Sequence, residues 1–288
     1  MAKVANGWKD YEIIATGNGE KLERWGKLIM LRPDPQVIWP AKFKLSSYKG
    51  INAIYKRSQT GGGEWTFTQD IPQNFVIERK GLKFNCKLMG FKHTGLFPEQ
   101  AVNWDKMSEL IKSSRRKIKV LNLFAYTGGA TVACAKAGAN VTHVDSAKAM
   151  VDRAKQNCLS SEVPTENTRF IIDDCKKFID KEIRRGNKYD AIIMDPPSYG
   201  RGPNGETWKI EENLFDLVKL CKEVLNDNPL FFLINSYTTG LQPIVIKNIL
   251  TLVLKDFKAE IDAYEVALPT NEGIDLPCGC SGLAVFKR

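Results

Sequence analysis

The chain has 288 residues, 43% hydrophobic and 26% charged, a composition ordinary for a soluble globular protein, and it shows no internal repeat or low-complexity tract. No apolar run approaches the ~20 residues that cross a bilayer, and Met1-Ala2-Lys3-Val4-Ala5-Asn6 lacks the apolar core of a secretion signal, so a cytoplasmic protein with no membrane partner is expected. The seven cysteines include no Cys-x-x-Cys pair and stand beside only two histidines, His93 and His143, which argues for reduced thiols and no metal site.

The net charge of +9 is unevenly distributed: residues 1–98 hold 16 Lys and Arg against 8 Asp and Glu, and residues 99–288 hold 26 against 25. A basic first third beside a near-neutral remainder points to a polyanionic partner, or to solubility alone.

In chain order, the first third reads as β-rich. Short aromatic and β-branched segments at 11–15, 27–31, 50–55, 64–68 and 75–79 are separated by Gly, Pro and Asn, with Gly61-Gly62-Gly63 marking a hairpin tip. From about residue 99 the pattern alternates. Strand-like runs at 118–123, 141–145, 169–173, 189–194 and 230–235 are interleaved with helical spacing at 128–137, 147–158, 175–185, 211–225 and 242–254. Residues 258–268 and 282–287 read as two further strands with no helix between them. The expected organisation is a small basic β-rich domain over 1–98 and an α/β domain over 99–288. The latter is a doubly wound, mostly parallel sheet of seven strands closed by a hairpin.

The chemistry-bearing residues fall where those strands end. The first strand runs into Phe124-Ala125-Tyr126-Thr127-Gly128-Gly129, whose glycines let a ligand approach the backbone at a helix start. Such a turn suits a carboxylate as well as a phosphate, or serves only helix–strand packing. This turn carries no G-x-G-x-x-G, which disfavours a dinucleotide dehydrogenase, and the chain has no G-K-[ST], which excludes an ordinary P-loop. The second strand ends at Asp145-Ser146, where a carboxylate can accept hydrogen bonds from a ribose diol. The third ends at Asp173-Asp174-Cys175, an acid for an adenine amine or a helix N-cap. His143, within a strand pattern, reads as packed. The fourth ends in Asp195-Pro196-Pro197-Ser198-Tyr199, a rigid turn offering an acceptor and an aromatic ring to a planar base.

The set Asn122–Gly129, Asp145, Asp174 and Asp195–Tyr199 resembles the motif series of class I S-adenosylmethionine-dependent methyltransferases. More narrowly, it resembles the bacterial family that includes the 23S rRNA cytosine-C5 methyltransferases. His93-Thr-Gly-Leu-Phe97-Pro-Glu-Gln100-Ala-Val-Asn103-Trp104 is similar to that family's T-G-x-[FY]-x-x-[DE]-Q segment before the first sheet strand, and the basic first third resembles its small β domain.

The resemblance implies methyl transfer from S-adenosyl-L-methionine to a base in RNA, ribosomal RNA foremost. The cofactor would be held by Phe97, Gln100, Phe124, Ala125, Tyr126, Thr127, Gly128, Asp145, Ser146, Asp173, Asp174 and Asp195. Asp195, Pro196, Pro197 and Tyr199 would carry catalysis. Two departures stand out. The larger relatives begin with a PUA-type RNA-binding domain not found here, which leaves docking to residues 1–98 and the Gly200–Trp208 loop. Asp-Pro-Pro-Tyr-like corners also occur in enzymes that methylate exocyclic amines, so cytosine C5 and an amine both stay open. A C5 target needs a thiolate adding at C6, and the candidates are Cys278 and, foremost, Cys280. A protein or small-molecule methyltransferase, and a non-catalytic RNA-binding protein that retains the cofactor fold, are the alternatives.

Overall fold

Runs of hydrophobic residues that alternate with amphipathic stretches after residue 118 build parallel strands with crossover helices. The computed structural model describes residues 2–58, 62–90, 92–201 and 207–287. The strands are β1 (Lys119–Leu123), β2 (Asn140–Asp145), β3 (Thr168–Ile172), β4 (Ala191–Met194), β5 (Phe231–Ser236), β6 (Ala259–Pro269) and β7 (Asp275–Phe286). The helices are α1 (Ala101–Ser113), α2 (Gly129–Lys136), α3 (Lys148–Ser160), α4 (Cys175–Arg184), α5 (Ile210–Lys222) and α6 (Pro243–Val253).

Sheet order is β3-β2-β1-β4-β5-β7-β6, with the two-residue strand Lys3–Val4 added beside β6. The first five strands are parallel, and β7 runs antiparallel to β5. The expected seven-strand plan therefore stands, with one short strand more. The sheet buries a continuous core in which Leu121, Ile192, Met194, Phe232 and Ile234 meet Phe178, Leu214, Val218 and Ile246. Each strand that is covered on both faces reads as an unbroken apolar run for that reason.

By contact, the chain forms two compact units: residues 1–3, 103–266 and 278–288 make one, and 4–102 with 267–277 the other. The second unit holds a five-stranded sheet of Tyr11–Gly17, Glu20–Trp25, Leu28–Pro33, Ala53–Arg57 and Gly63–Phe67, in chain order, and a separate ribbon of Phe75–Arg79 with Leu82–Cys86. Gly61 of the expected hairpin tip lies outside the described residues. Residues 267–277 join this unit through Ala5 N–H to Ala267 O at 2.9 Å, Asn271 N–H to Ile13 O at 2.9 Å, and Thr16 N–H to Glu272 Oε2 at 2.7 Å.

Two strands differ from expectation in an instructive way. Glu20–Trp25 looks too charged for a buried strand, yet Glu23 is fully buried. It accepts from Arg32 Nη2 at 2.9 Å and from the Tyr11 hydroxyl at 2.8 Å. Burial alone raises a carboxyl pKa, but the Arg32 and Lys21 charges outweigh it and hold Glu23 down to about 2. The final strand begins at Asp275 rather than Gly282, so Cys278 and Cys280 lie in β7 and not in a turn. Gly279 makes that possible, since a Cβ there would sit 2.6 Å from Ser236 O.

Candidate active site

Parallel register brings the strand ends to one edge. Leu123 pairs with Val144 and with Met194, and Met194 pairs with Ile234. The residues that follow, Phe124, Asp145, Asp195 and Asn235, therefore crown neighbouring strands, and the Gly128 turn and the Asp195 corner share the carboxyl edge of the sheet. Open α/β sheets place ligands there, beside the switch point where strand order reverses, here between β1 and β4.

The first turn is held in an unusual backbone. Phe124, Tyr126 and Gly128 have φ of 53°, 50° and 80°, the left-handed region where only glycine is comfortable. The strain is offset by fixed partners. Phe124 N–H meets Cys175 Sγ at 3.2 Å, Ala125 N–H meets Val144 O at 3.1 Å, and buried Asn157 donates to Thr127 O at 2.8 Å. Gly128 caps α2 with no side chain bonded over the helix start. A Cβ on Gly128 would lie 2.7 Å from the Ala154 Cβ, and one on Gly129 2.7 Å from Trp104. Behind the turn, Asn122 donates to Thr131 Oγ1 at 2.9 Å, and that hydroxyl meets His143 Nδ1 at 2.9 Å. His143 is fully buried, as expected of a packed residue, and burial pushes its pKa down to about 3.

Asp145 is oriented by backbone donors, Tyr126 N–H to Oδ2 at 2.8 Å and Ala147 N–H to Oδ1 at 2.9 Å. Each carboxylate oxygen keeps a second lone pair, so a pair of ribose hydroxyls can still be accepted. Ser146 follows it, exposed. Asp174 caps α4, its Oδ1 accepting from Lys177 N–H at 2.9 Å. Asp173 pairs with Lys181 at 2.6 Å. Both acids thus have structural partners, and the cofactor role expected of them has no geometric support beyond their place on the edge.

At the fourth strand, Asp195 is half-buried, Pro196 buried and Pro197 exposed. Contacts around the corner link it to both neighbouring strand ends. Ser198 Oγ lies 2.6 Å from Thr238 Oγ1, Trp208 donates from Nε1 to Pro197 O at 2.6 Å, and its ring centroid is 6.1 Å from that of Phe124. Tyr199, expected over the acceptor base, is 52% exposed and opens the strand Tyr199–Arg201, paired with Thr207–Lys209. Residues 202–206 of the loop expected to dock RNA lie outside the described residues.

Cys280 sits opposite Ser236 in the β5–β7 register, at the right edge for chemistry. Its thiol is turned inward, however, 6% exposed and donating to Leu241 O at 3.3 Å. Burial pushes its pKa up to about 11, which disfavours the thiolate. Cys278 is half-buried. Phe97 and Gln100 belong to the other compact unit, flanking a short turn over Pro98–Gln100, with Gln100 N–H bonded to Phe97 O at 3.1 Å.

Sequence reasoning missed Asn157, Thr238, the inward anchoring of Trp208 and a buried network behind the β5 end. There Asn103 donates to Asn235 Oδ1 at 3.1 Å and Ser281 Oγ at 2.9 Å, and accepts from the Tyr264 hydroxyl at 2.7 Å. Only a polar residue inside an apolar strand pattern, Asn235 in 231–236, signalled it in advance. Among the described residues no group of three or more His, Cys, Asp or Glu is arranged to hold a metal, and no helix is long and apolar enough to cross a membrane.

Residues 51–236 match a family model described as S-adenosylmethionine-dependent methyltransferase. The crystal structure of an S-adenosylmethionine-dependent methyltransferase from Agrobacterium tumefaciens superposes with a TM-score of 0.93 at 30% identity, covering 100% of this chain and 94% of that one. Ribosomal RNA large subunit methyltransferase I of Photobacterium profundum is 33% identical over 132 residues, 46% of this chain and 32% of its own. Ribosomal RNA large subunit methyltransferase K/L of a Shewanella species is 27% identical over 192 residues, 66% of this chain and 26% of its own. The chain thus spans a third or less of the length of these curated relatives.

Proposed function

Because this chain belongs to the S-adenosylmethionine-dependent methyltransferase family, we propose that it methylates a base in RNA, ribosomal RNA being the substrate and the cytoplasm its place of action. The observation that carries the reading is the shared edge: a glycine turn open to the backbone, a ribose-directed Asp145 and the Asp195-Pro-Pro corner stand on adjacent strand ends. The start of α2, which no side chain caps, fits the methionine carboxylate, and Asp145 fits the ribose. Asp173 and Asp174 are assigned to the adenine by resemblance, as are Phe97 and Gln100 to the cofactor; alanine at each, with cofactor affinity as the readout, tests this.

S-adenosylmethionine supplies an electrophilic methyl on a sulfonium. The protein's task is alignment, which alone lowers such barriers by several kcal/mol. Asp195, half-buried on the rigid Pro196-Pro197 turn, accepts an N–H of the base and keeps the nitrogen lone pair aimed at the methyl. With the cofactor bound, Asp195 or water would take up the proton that the nitrogen loses on methylation. An exocyclic amine is favoured over cytosine C5, because the foremost thiol, Cys280, is buried and bonded inward to Leu241 O.

RNA attraction falls to the basic residues 1–98. The test is incubation of RNA from a deletion strain with radiolabelled S-adenosylmethionine, followed by nucleoside analysis. Label in an N-methylated nucleoside is expected. Label confined to protein or to a small molecule refutes the substrate, and binding of the cofactor without any transfer refutes the enzyme.

A further inference from the structure

The hairpin after the Asp195 corner has two unlike faces. Its register sets Tyr199 opposite Lys209, Gly200 opposite Trp208 and Arg201 opposite Thr207. Side chains alternate across a strand, so Gly200 and Trp208 share one face, and Tyr199, Arg201, Thr207 and Lys209 share the other. The first face is anchored: Trp208 bonds Pro197 O and packs against Phe124 and the sheet core. On the second, all four side chains are exposed among the described residues.

A tyrosine exposed over half its surface contributes little to folding. This one is nonetheless held in place, because Arg201 Nε donates to its hydroxyl at 3.0 Å. The guanidinium therefore lies at the rim of the ring and leaves a π-face open. Across the ribbon, Lys209 pairs with Glu212 at 2.7 Å, an exposed contact that a phosphate readily replaces. A free aromatic face flanked by two cations has the composition of a single-strand nucleic-acid platform, where bases stack on the ring and phosphates meet the charges. The hairpin leaves the very corner to which the acceptor base is assigned, so the chain bound there belongs to the nucleotides adjoining that base.

We propose that the outer face of Tyr199–Arg201 and Thr207–Lys209 is a docking platform for single-stranded RNA: Tyr199 stacks the base next to the one being methylated, and Arg201 and Lys209 hold its phosphates. This rests on the RNA-methyltransferase reading above, and it moves Tyr199 from the reacting base to its neighbour.

The test uses the full chain and large-subunit ribosomal RNA purified from a deletion strain. Tyr199→Ala raises KM for RNA roughly 5- to 150-fold, the span of about 1–3 kcal/mol for one stacked base at 1.4 kcal/mol per tenfold. The effect falls on KM rather than on kcat or S-adenosylmethionine affinity, and Tyr199→Phe restores RNA binding. Arg201→Ala combined with Lys209→Ala makes the slope of log affinity against log salt shallower by about 1.4, two phosphates at ~0.7 each. A Tyr199→Ala variant that loses kcat at unchanged KM puts the ring on the reacting base and overturns the platform, as does a Phe variant as impaired as Ala or an unchanged salt slope. If the unaltered chain labels no RNA, the substrate reading falls and the platform with it; if it labels RNA and all these variants match it, only the platform falls.

Discussion

Adding one methyl group at Gly128 tests the cofactor turn directly. Its φ of 80° is left-handed, which costs an L side chain roughly 1–2 kcal/mol. The new Cβ would stand 2.7 Å from the Ala154 Cβ and 3.3 Å from its Cα, and relieving such overpacking costs a further ~1–3 kcal/mol. Gly128→Ala is therefore expected to lose about 2–5 kcal/mol of stability, seen in denaturant titration as a lower midpoint at constant slope. S-adenosylmethionine affinity, measured by calorimetry, falls as well, since the turn that receives the cofactor is displaced. The two costs separate in a double-mutant cycle. Ala154→Gly removes the clashing Cβ at about 1 kcal/mol of helix propensity. Measured against that single variant, Gly128→Ala then loses only the backbone share, a coupling of ~1–3 kcal/mol. If Gly128→Ala costs the same with and without Ala154, the packing argument is wrong. If it costs under ~0.5 kcal/mol and leaves cofactor affinity intact, the site itself is misplaced.

Other outcomes follow from the same geometry. Asp145→Asn sets an amide NH2 against one of the backbone donors Tyr126 N–H and Ala147 N–H, and removes a charge-assisted acceptor; cofactor affinity should fall about 10- to 100-fold, and unchanged affinity argues against ribose binding there. His143 is neutral in the fold, with its pKa lowered from 6.5 to about 3, so the unfolded chain takes up a proton that the folded one does not as pH falls below 6.5. Its contribution to stability declines on acidification, by about 2 kcal/mol between pH 7.5 and 5, and His143→Gln should flatten that part of the pH–stability curve. Asn103→Ala strands the partners of its buried amide and should cost about 1–3 kcal/mol, read as a lower melting temperature. Cys280→Ala should retain methyl transfer; loss of transfer with cofactor binding intact would restore the thiolate mechanism.

The parallel sheet was legible because its strands are buried on both faces and its helices are not, so periodicity switches visibly at each boundary. Gly128, Asp145 and Asp195 were legible because strand ends are short, punctuated and chemically distinct from the runs before them. What stayed hidden was non-local. Glu23 reads as a surface charge until Arg32, nine residues on, is brought beside it. Asn103 meets Asn235 across 132 residues and Ser281 across 178, distances at which no spacing rule operates. Gly279 resembles a turn former, and only the closeness of Ser236 O explains a glycine inside a strand. Tyr199 reads as part of the Pro-Pro corner, whereas pairing with Lys209 draws it into the hairpin.

The discontinuous make-up of the β-rich unit has a consequence for biosynthesis. Its five-stranded sheet is complete by Phe67, but the segment that bonds to Ala5, Ile13 and Thr16 is translated roughly 170 residues after Val102. At about 5–20 residues per second the early strands wait about 10 to 35 s for it. During that interval Thr16 lacks the carboxylate that its backbone N–H and hydroxyl share in the finished fold. The nascent chain is thus exposed to proteolysis and mispairing at Tyr11–Gly17 until Glu272 emerges, and a gene shortened at residue 102 yields a fragment held permanently in that state.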